Sequence, residues 1–237
     1  MGSDLTRRKF IGVAGTAVAA GAATTVGAAQ AAPAAPPSGR IKIVGICCSF
    51  RKGRTTAAAL RVCLEAAKAV DPGNIETELI ELAGMKIDGA LAAGVALEPG
   101  QQDDFPSLAP KLADPKVAGI IIGTPVYFGN MSSLCKAFLE RLNAFRKDNF
   151  ALSNKVAGVV AVGGGRNGGQ ELTIRSVHTG LFGQEMIIVG DGRPTAHWGG
   201  AVWNKEKDDV SADEVGMASV KNLGRRVAEV ARRMARG

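Results

Sequence analysis

The chain is poor in the residues that build metal sites and nucleophile–base sets. Its 237 residues include four cysteines and two histidines. No C-x-x-C pair occurs: Cys47 and Cys48 are adjacent, and Cys63 and Cys135 are isolated on helix-like segments. With His178 and His197 as the only imidazoles, a zinc site has little to draw on. No Ser/His/Asp or Cys/His set can be assembled, so neither a catalytic side chain nor a bound metal is expected. The cysteines read as small buried apolar residues, with a bridge left open should the chain reach an oxidising compartment. Aromatic residues are only 5% of the chain and do not interleave with the basic ones, so the net charge of +7 points to small anions rather than nucleic acid. No G-x-x-x-x-G-K-[ST] and no G-x-G-x-x-G motif occurs. Internal repeats and a second domain are also missing.

The N-terminus carries an address rather than a fold. Thr6-Arg7-Arg8-Lys9-Phe10-Ile11 places a bulky apolar residue two positions after a twin-arginine pair. A weakly apolar stretch, Gly12–Ala29, follows, and Ala29-Gln30-Ala31 is a small-x-small cleavage candidate. Glycines and threonines interrupt the stretch, so it makes no stable membrane span. Residues 1–31 are expected to be a twin-arginine signal peptide that exports the folded protein to a periplasmic or extracellular location. Residues 32–39, with three prolines, read as a linker. Residues 40–237 form the single domain.

Within that domain, strand and helix patterns alternate. Strands are expected at Ile41–Cys47, Ile75–Leu82, Val117–Gly123, Val156–Val162 and Glu185–Gly190. Helices are expected at Thr55–Val70, Asp103–Leu112, Ser132–Arg146, Gly169–Phe182 and Ser211–Ala235. The alternation predicts an α/β, flavodoxin-like three-layer sandwich, in which helices cover both faces of a five-stranded parallel sheet of order 2-1-3-4-5.

Loops after the first, third and fourth strands of such a sheet meet at one crevice. The first, Cys48–Thr56, combines hydroxyls, a helix N-terminus and Arg51, Lys52 and Arg54, which suits a dianionic phosphate. The alternative is a basic surface turn with Thr55 as an ordinary helix cap. The second, Thr124–Ser133, follows a buried strand and holds Pro125, Tyr127, Phe128 and Gly129. Its aromatics can stack on a flat ring, and glycine permits close approach. The alternative is boundary packing before a Ser-capped helix. The third, Val162–Glu171, has five glycines in seven residues from Gly163 to Gly169, so its amides can face a ligand. It could also be a plain flexible connection. His197 and Trp198 could form a lid over a bound ring or a locally packed loop. Asp103 and Asp104 point in different directions on a helix and read as its solvated start.

Taken together, these residues resemble the NAD(P)H-dependent FMN reductase superfamily, near its multimeric-flavodoxin (WrbA-type) and iron–sulfur flavoprotein branches. Ser49-Phe50-Arg51-Lys52-Gly53-Arg54-Thr55-Thr56 is similar to the family's S-P-R-x-G-x-[NS]-T loop, with Phe50 in place of proline. Thr124–Ser132 followed by Lys136-Ala137-Phe138-Leu139-Glu140-Arg141 is similar to S-P-V-Y-[FW]-G-x-[MV]-[ST]…K-x-F-[LI]-D-R. Gly163–Glu171 matches the glycine loop. The resemblance implies an FMN-dependent oxidoreductase with NAD(P)H as donor and a small acceptor such as a quinone. A non-enzymatic flavin-binding electron-transfer protein is the alternative, and a shell that has lost its cofactor is a third reading. The resemblance implies that Ser49, Arg51, Thr55 and Thr56 hold the FMN phosphate. Pro125, Val126, Tyr127, Phe128, Gly129, Asn130 and Met131 would line the ring, with Gly164, Gly165 and Arg166 on its pyrimidine side. A homo-oligomer is a further expectation. Two departures stand out. Cys48 replaces a frequent glycine and would crowd the loop entry. The stretch Lys86–Gln102 has no cysteine where the iron–sulfur members have four, so no iron–sulfur cluster is expected.

Overall fold

Val117–Ile122 is apolar or small at every position, a pattern that suits a strand buried on both faces at the centre of a parallel sheet. The computed structural model of the chain describes residues 39–205 and 207–236. The expected leader and all of the linker but Gly39 lie outside the described residues. The strands are β1 (Ile41–Cys47), β2 (Ile75–Glu81), β3 (Val117–Tyr127), β4 (Asn130–Met131), β5 (Val156–Gly163), β6 (Ile187–Ile188) and β7 (Gly200–Trp203). The helices are α1 (Thr55–Lys68), α2 (Phe105–Ala113), α3 (Ser133–Arg141), α4 (Asn143–Lys147), α5 (Gln170–Phe182) and α6 (Glu214–Met234). The order along the sheet is β2-β1-β3-β5-β6, with β7 also on β5 and β4 folded back on β3. Counting only parallel strands, with β6 and β7 as one interrupted strand, the order is the expected 2-1-3-4-5.

Two apolar clusters, one on each face, fill the layers. Along β1 the side chains alternate: Ile41, Ile43 and Cys47 join one cluster, while Val44 and Ile46 join the other. The first cluster packs under α1 and α6 through Leu60, Leu64, Val220, Leu223 and Val227. The second packs under α2, α3 and α5 through Phe105, Leu112, Phe138, Ile174 and Val177. Each fully buried Ile, Leu or Phe contributes about 1.5–3 kcal/mol relative to exposure. α1 and α6 approach closely at Gly224, where a Cβ would meet the Cys63 carbonyl.

The structure corrects two expectations. The last strand is not one run over Glu185–Gly190. The chain leaves the ladder after Ile188, makes an excursion through residues 189–199 and returns as β7. Gly192 has φ +71°, and Pro194 has no N–H to give a ladder, so Gly-Asp-Gly-Arg-Pro cannot continue the strand. The buried carboxylate of Asp191 instead organises the excursion, accepting from the Thr195 hydroxyl and the His197 amide.

Asp103 is also not a solvated helix start. Its carboxylate forms a two-bond fork with Arg141, both at 2.7 Å, and both side chains are about nine-tenths buried. Arg141 also lies 4.6 Å over the Phe105 ring. The fork pins the segment before α2 to the end of α3. Arg141 holds the Asp103 carboxyl below its ordinary 3.8, first through these hydrogen bonds. A depressed carboxylate stabilises the fold above its unfolded value, and that contribution is lost as pH falls through the native value. Arg141→Gln is therefore expected to cost about 2–3 kcal/mol at pH 7, with the deficit shrinking below about pH 4. Urea titrations at pH 7 and pH 3 check this. An undiminished deficit at pH 3 would assign the effect to packing over Phe105 rather than to charge.

Candidate functional site

Because β1, β3 and β5 run parallel, the connections after them leave from one rim. Gly123 of β3 pairs with Cys47 at the end of β1, and β3 then continues to Tyr127. Pro125 pairs with Val162 of β5. The expected turn over Thr124–Ser133 is therefore shorter than its composition suggests. Thr124 to Tyr127 are strand, Asn130 and Met131 are the returning strand β4, and only Phe128 and Gly129 connect them. Their φ angles are +49° and +73°, the left-handed pair that a two-residue hairpin needs. Glycine takes this conformation freely, but phenylalanine takes it at a cost on the order of 1–3 kcal/mol. Phe128 is fully exposed and Tyr127 is 45% exposed. A strained aromatic held in solvent above the rim is placed for contact with something outside the chain.

The first loop leads into a helix start that no side chain caps. α1 starts at Thr55, and the residue before it, Arg54, makes no side-chain cap. Thr55 therefore does not cap the helix, and the first-turn amides have no capping side chain. Ser49, Thr55 and Thr56 are buried, and Ser49 Oγ accepts from the Arg51 amide at 3.1 Å. Among the described residues, no hydrogen bond is made by the hydroxyl of Thr55 or Thr56. Two cations of this loop, Arg51 and Arg54, share one carboxylate. Arg51 lies 2.8 Å and Arg54 3.6 Å from the Asp208 carboxylate. Glu81 accepts from the Gly53 amide at 2.6 Å and pairs with Arg61 at 3.2 Å. Cys48 does not crowd the entry: its side chain is fully buried in the core, while Phe50 is 56% exposed.

A polar knot joins the first and second loops. Ser132 Oγ donates to the Cys48 carbonyl at 2.7 Å and accepts from the Cys135 amide at 3.1 Å. Thr124 Oγ1 accepts from the Ser132 amide at 3.1 Å and donates to the Pro125 carbonyl at 3.0 Å. Both hydroxyl side chains are fully buried. The third loop reaches the second at Gly169, φ +94°, where a Cβ would come within 2.9 Å of Gly129 Cα. The loops of Ser49, Tyr127 and Gly165 therefore share one side of the molecule.

Side chains that the sequence reading did not assign set the shape of the glycine loop. Gln170 Nε2 donates to the Gly165 carbonyl at 2.7 Å, and Trp203 Nε1 to the Gly164 carbonyl at 2.6 Å. Gly164 and Gly165 are exposed, with open space where a Cβ would stand. Arg166 lies 4.9 Å over the Trp203 ring and 3.6 Å from the buried Asp213. Asp213 also caps α6 by accepting from Gly216. The cap before α6 had a local signal, whereas Trp203 and Asp208 had none. Among the expected ring-lining residues, Pro125 is buried within β3, and Val126 and Met131 pack against the core. Tyr127, Phe128, Gly129 and Asn130 stand at the rim.

The four cysteines are buried and free. Burial pushes the Cys47 thiol up to about 11 and raises those of Cys48 and Cys63 as well. Cys47, Cys48 and Cys63 are therefore neutral thiols, and metal ligation uses thiolates. Among the described residues, no group of three or more His, Cys, Asp or Glu side chains could hold a metal ion. Trp198 stacks under Arg175 of α5, and His197 Nδ1 lies 3.4 Å from the Asp191 carboxylate.

The family model described as NADPH-dependent FMN reductase matches residues 41–198. An iron–sulfur flavoprotein from Methanocaldococcus jannaschii is 39% identical over 193 residues, covering 80% of this chain and 97% of that protein. An NAD(P)H dehydrogenase (quinone) from Paracoccus denitrificans is 46% identical over 71 residues, covering 30% of this chain and 34% of that protein. The crystal structure of a WrbA-like flavodoxin from Agrobacterium tumefaciens superposes with a TM-score of 0.58 at 18% identity. It covers 82% of this chain and 98% of that one and shares the fold.

Ser132→Ala removes the hydroxyl that joins two loops, leaving a buried carbonyl and a first-turn helix amide unpaired. It is expected to lower stability by about 2–3 kcal/mol, seen as a lower urea midpoint with unchanged slope. A loss below about 0.5 kcal/mol would show that the sheet register alone holds the loops together.

Proposed function

Because the chain belongs to the NADPH-dependent FMN reductase family, whose members are flavin-dependent oxidoreductases, we propose that the three rim loops hold FMN. The observation that supports this is the Ser132 knot, which ties the end of β1, where the first loop begins, to the residue that follows the aromatic hairpin. The residues present fit the cofactor. The first-turn amides of α1 and the hydroxyls of Ser49, Thr55 and Thr56 suit a phosphate dianion. Arg51 adds charge, sharing its guanidinium between Asp208 and the ligand. Tyr127 and Phe128 offer ring faces, and Gly129 keeps bulk away from them. Open backbone at Gly164–Arg166 can donate to ring carbonyls. When bound, FMN supplies the two-electron chemistry, taking hydride from a donor and passing electrons on. The chain's own part is to anchor, orient and shield, and no side chain need act as acid or base.

The donor and acceptor belong to the same proposal. A nicotinamide donor and a quinone acceptor follow from the family, but export would separate the chain from cytoplasmic NAD(P)H. A quinol or a redox protein is then the donor. If electrons exchange with such a partner without nicotinamide turnover, the chain is an electron-transfer protein. We further propose that it carries no iron–sulfur cluster: Lys86–Gln102 offers no thiol, and the four cysteines it has are buried.

Purified full-length chain is expected to bind one FMN, with the flavin absorbance shifted and no stoichiometric iron or sulfide. A colourless protein that does not take up added FMN would falsify the flavin site. Iron at several atoms per chain would overturn the cluster-free reading alone. For export, replacing Arg7 and Arg8 by lysine is expected to keep the protein in the cytoplasm. Unchanged distribution on cell fractionation would remove the twin-arginine assignment.

A further inference from the structure

The chain has two histidines, and both line one groove that the flavin reading does not use. The groove, of about 680 Å³, runs between the outer face of α5 and the 189–199 excursion. A volume of this size matches small-molecule sites, which span roughly 300–1,000 Å³. Its walls include Leu172, Arg175, His178, Phe182, His197 and Trp198, and no residue of the three rim loops belongs to them.

Three features show that it is a built site. First, its apolar rings are open. Phe182 is 64% and Trp198 52% exposed, and Trp198 is steadied by the Arg175 guanidinium 5.1 Å from its ring centre. Second, His197 is oriented from behind. The fully buried Asp191 carboxylate accepts from the His197 amide and lies 3.4 Å from its Nδ1. Third, His178 is 6% exposed, and its Nε2 is buried with no hydrogen-bond partner. An unmet buried polar atom is destabilising, and an oxygen reaching it from the groove would offset this. Burial pushes the His178 imidazole down to about 4, so at neutral pH it is an uncharged ring with one N–H to donate.

The charge on the walls selects the ligand. No carboxylate lines the groove. Ser176 and Thr179 spend their hydroxyl protons on the carbonyls of Leu172 and Arg175, at 3.0 and 3.1 Å. Donors on the walls include the Arg175 guanidinium and the neutral His178 imidazole, beside two ring faces. We propose that this groove binds a planar aromatic carboxylate, its ring against Trp198 and Phe182 and its charge on Arg175 and His178.

The test is calorimetric titration of the FMN-loaded full chain with 2-naphthoate and with its neutral analogue 2-naphthamide, following flavin absorbance in the same samples. If no FMN is taken up, the same titration is run on the free chain, because the groove stands independently of the flavin site. Saturable binding at one site per chain is expected, with the amide at least about tenfold weaker. Arg175→Gln, on an exposed helix face, should weaken 2-naphthoate about tenfold or more, and Phe182→Ser should weaken both compounds. Equal affinity for acid and amide would overturn the proposal. So would binding that neither variant weakens, displacement of FMN, or no saturable heat at millimolar ligand.

Discussion

One buried hydroxyl holds the rim together. Ser132 is the cap of α3, but its oxygen also reaches the carbonyl of Cys48, 84 residues earlier in the chain. A side chain that both donates and accepts inside the core leaves few alternatives for either loop, because each broken bond would strand a backbone group. Thr124 extends the knot by accepting from the Ser132 amide. β3 can therefore run past the end of β1 and return through β4 without splaying from the first loop. The strain at Phe128 is borne by the same frame: a hairpin anchored on both sides keeps a bulky residue at positive φ that a free loop would relax.

Charge at the rim is partly offset by the chain's own carboxylates. Arg51 and Arg54 share Asp208, and Arg166 sits near Asp213. Both carboxylates follow β7, so the segment leading into α6 acts as counter-ion to loops that follow β1 and β5. The pairs of Arg51 and Arg54 are solvent-exposed and individually weak. They keep the guanidiniums near the start of α1 without locking them, and a phosphate dianion, carrying more charge and more acceptor atoms than one carboxylate, can compete for them.

The broken fifth strand shapes both sides of α5. Its return as β7 brings Trp203 to the Gly164 carbonyl and so sets the glycine loop at the helix start. Its excursion brings His197 and Trp198 to the helix's outer face and so forms the groove. Asp191 links these two outcomes, since the 189–199 turn closes around its buried carboxylate. A continuous edge strand would have offered neither the clamp nor the groove.

The layered fold was legible because its signals are local. Strand burial follows a two-residue period or an unbroken apolar run, helices follow a 3.6-residue period, and glycine, proline and hydroxyl residues mark the connections. The three rim loops were legible for the same reason, as were the small buried roles of the cysteines. Tertiary structure decided the partners. The Asp103–Arg141 fork, the Asp208 counter-ion, the Trp203 clamp and the meeting of both histidines join residues far apart in the chain. No pattern within a turn or a strand encodes such pairs. They exist only once packing has brought separate loops within hydrogen-bonding reach, where burial makes an unpaired polar group costly. By itself, then, the sequence determined the alternation of strands and helices in the layers and marked the glycine- and hydroxyl-rich connections between them. The folded chain decided which charges those loops keep and which faces they leave open.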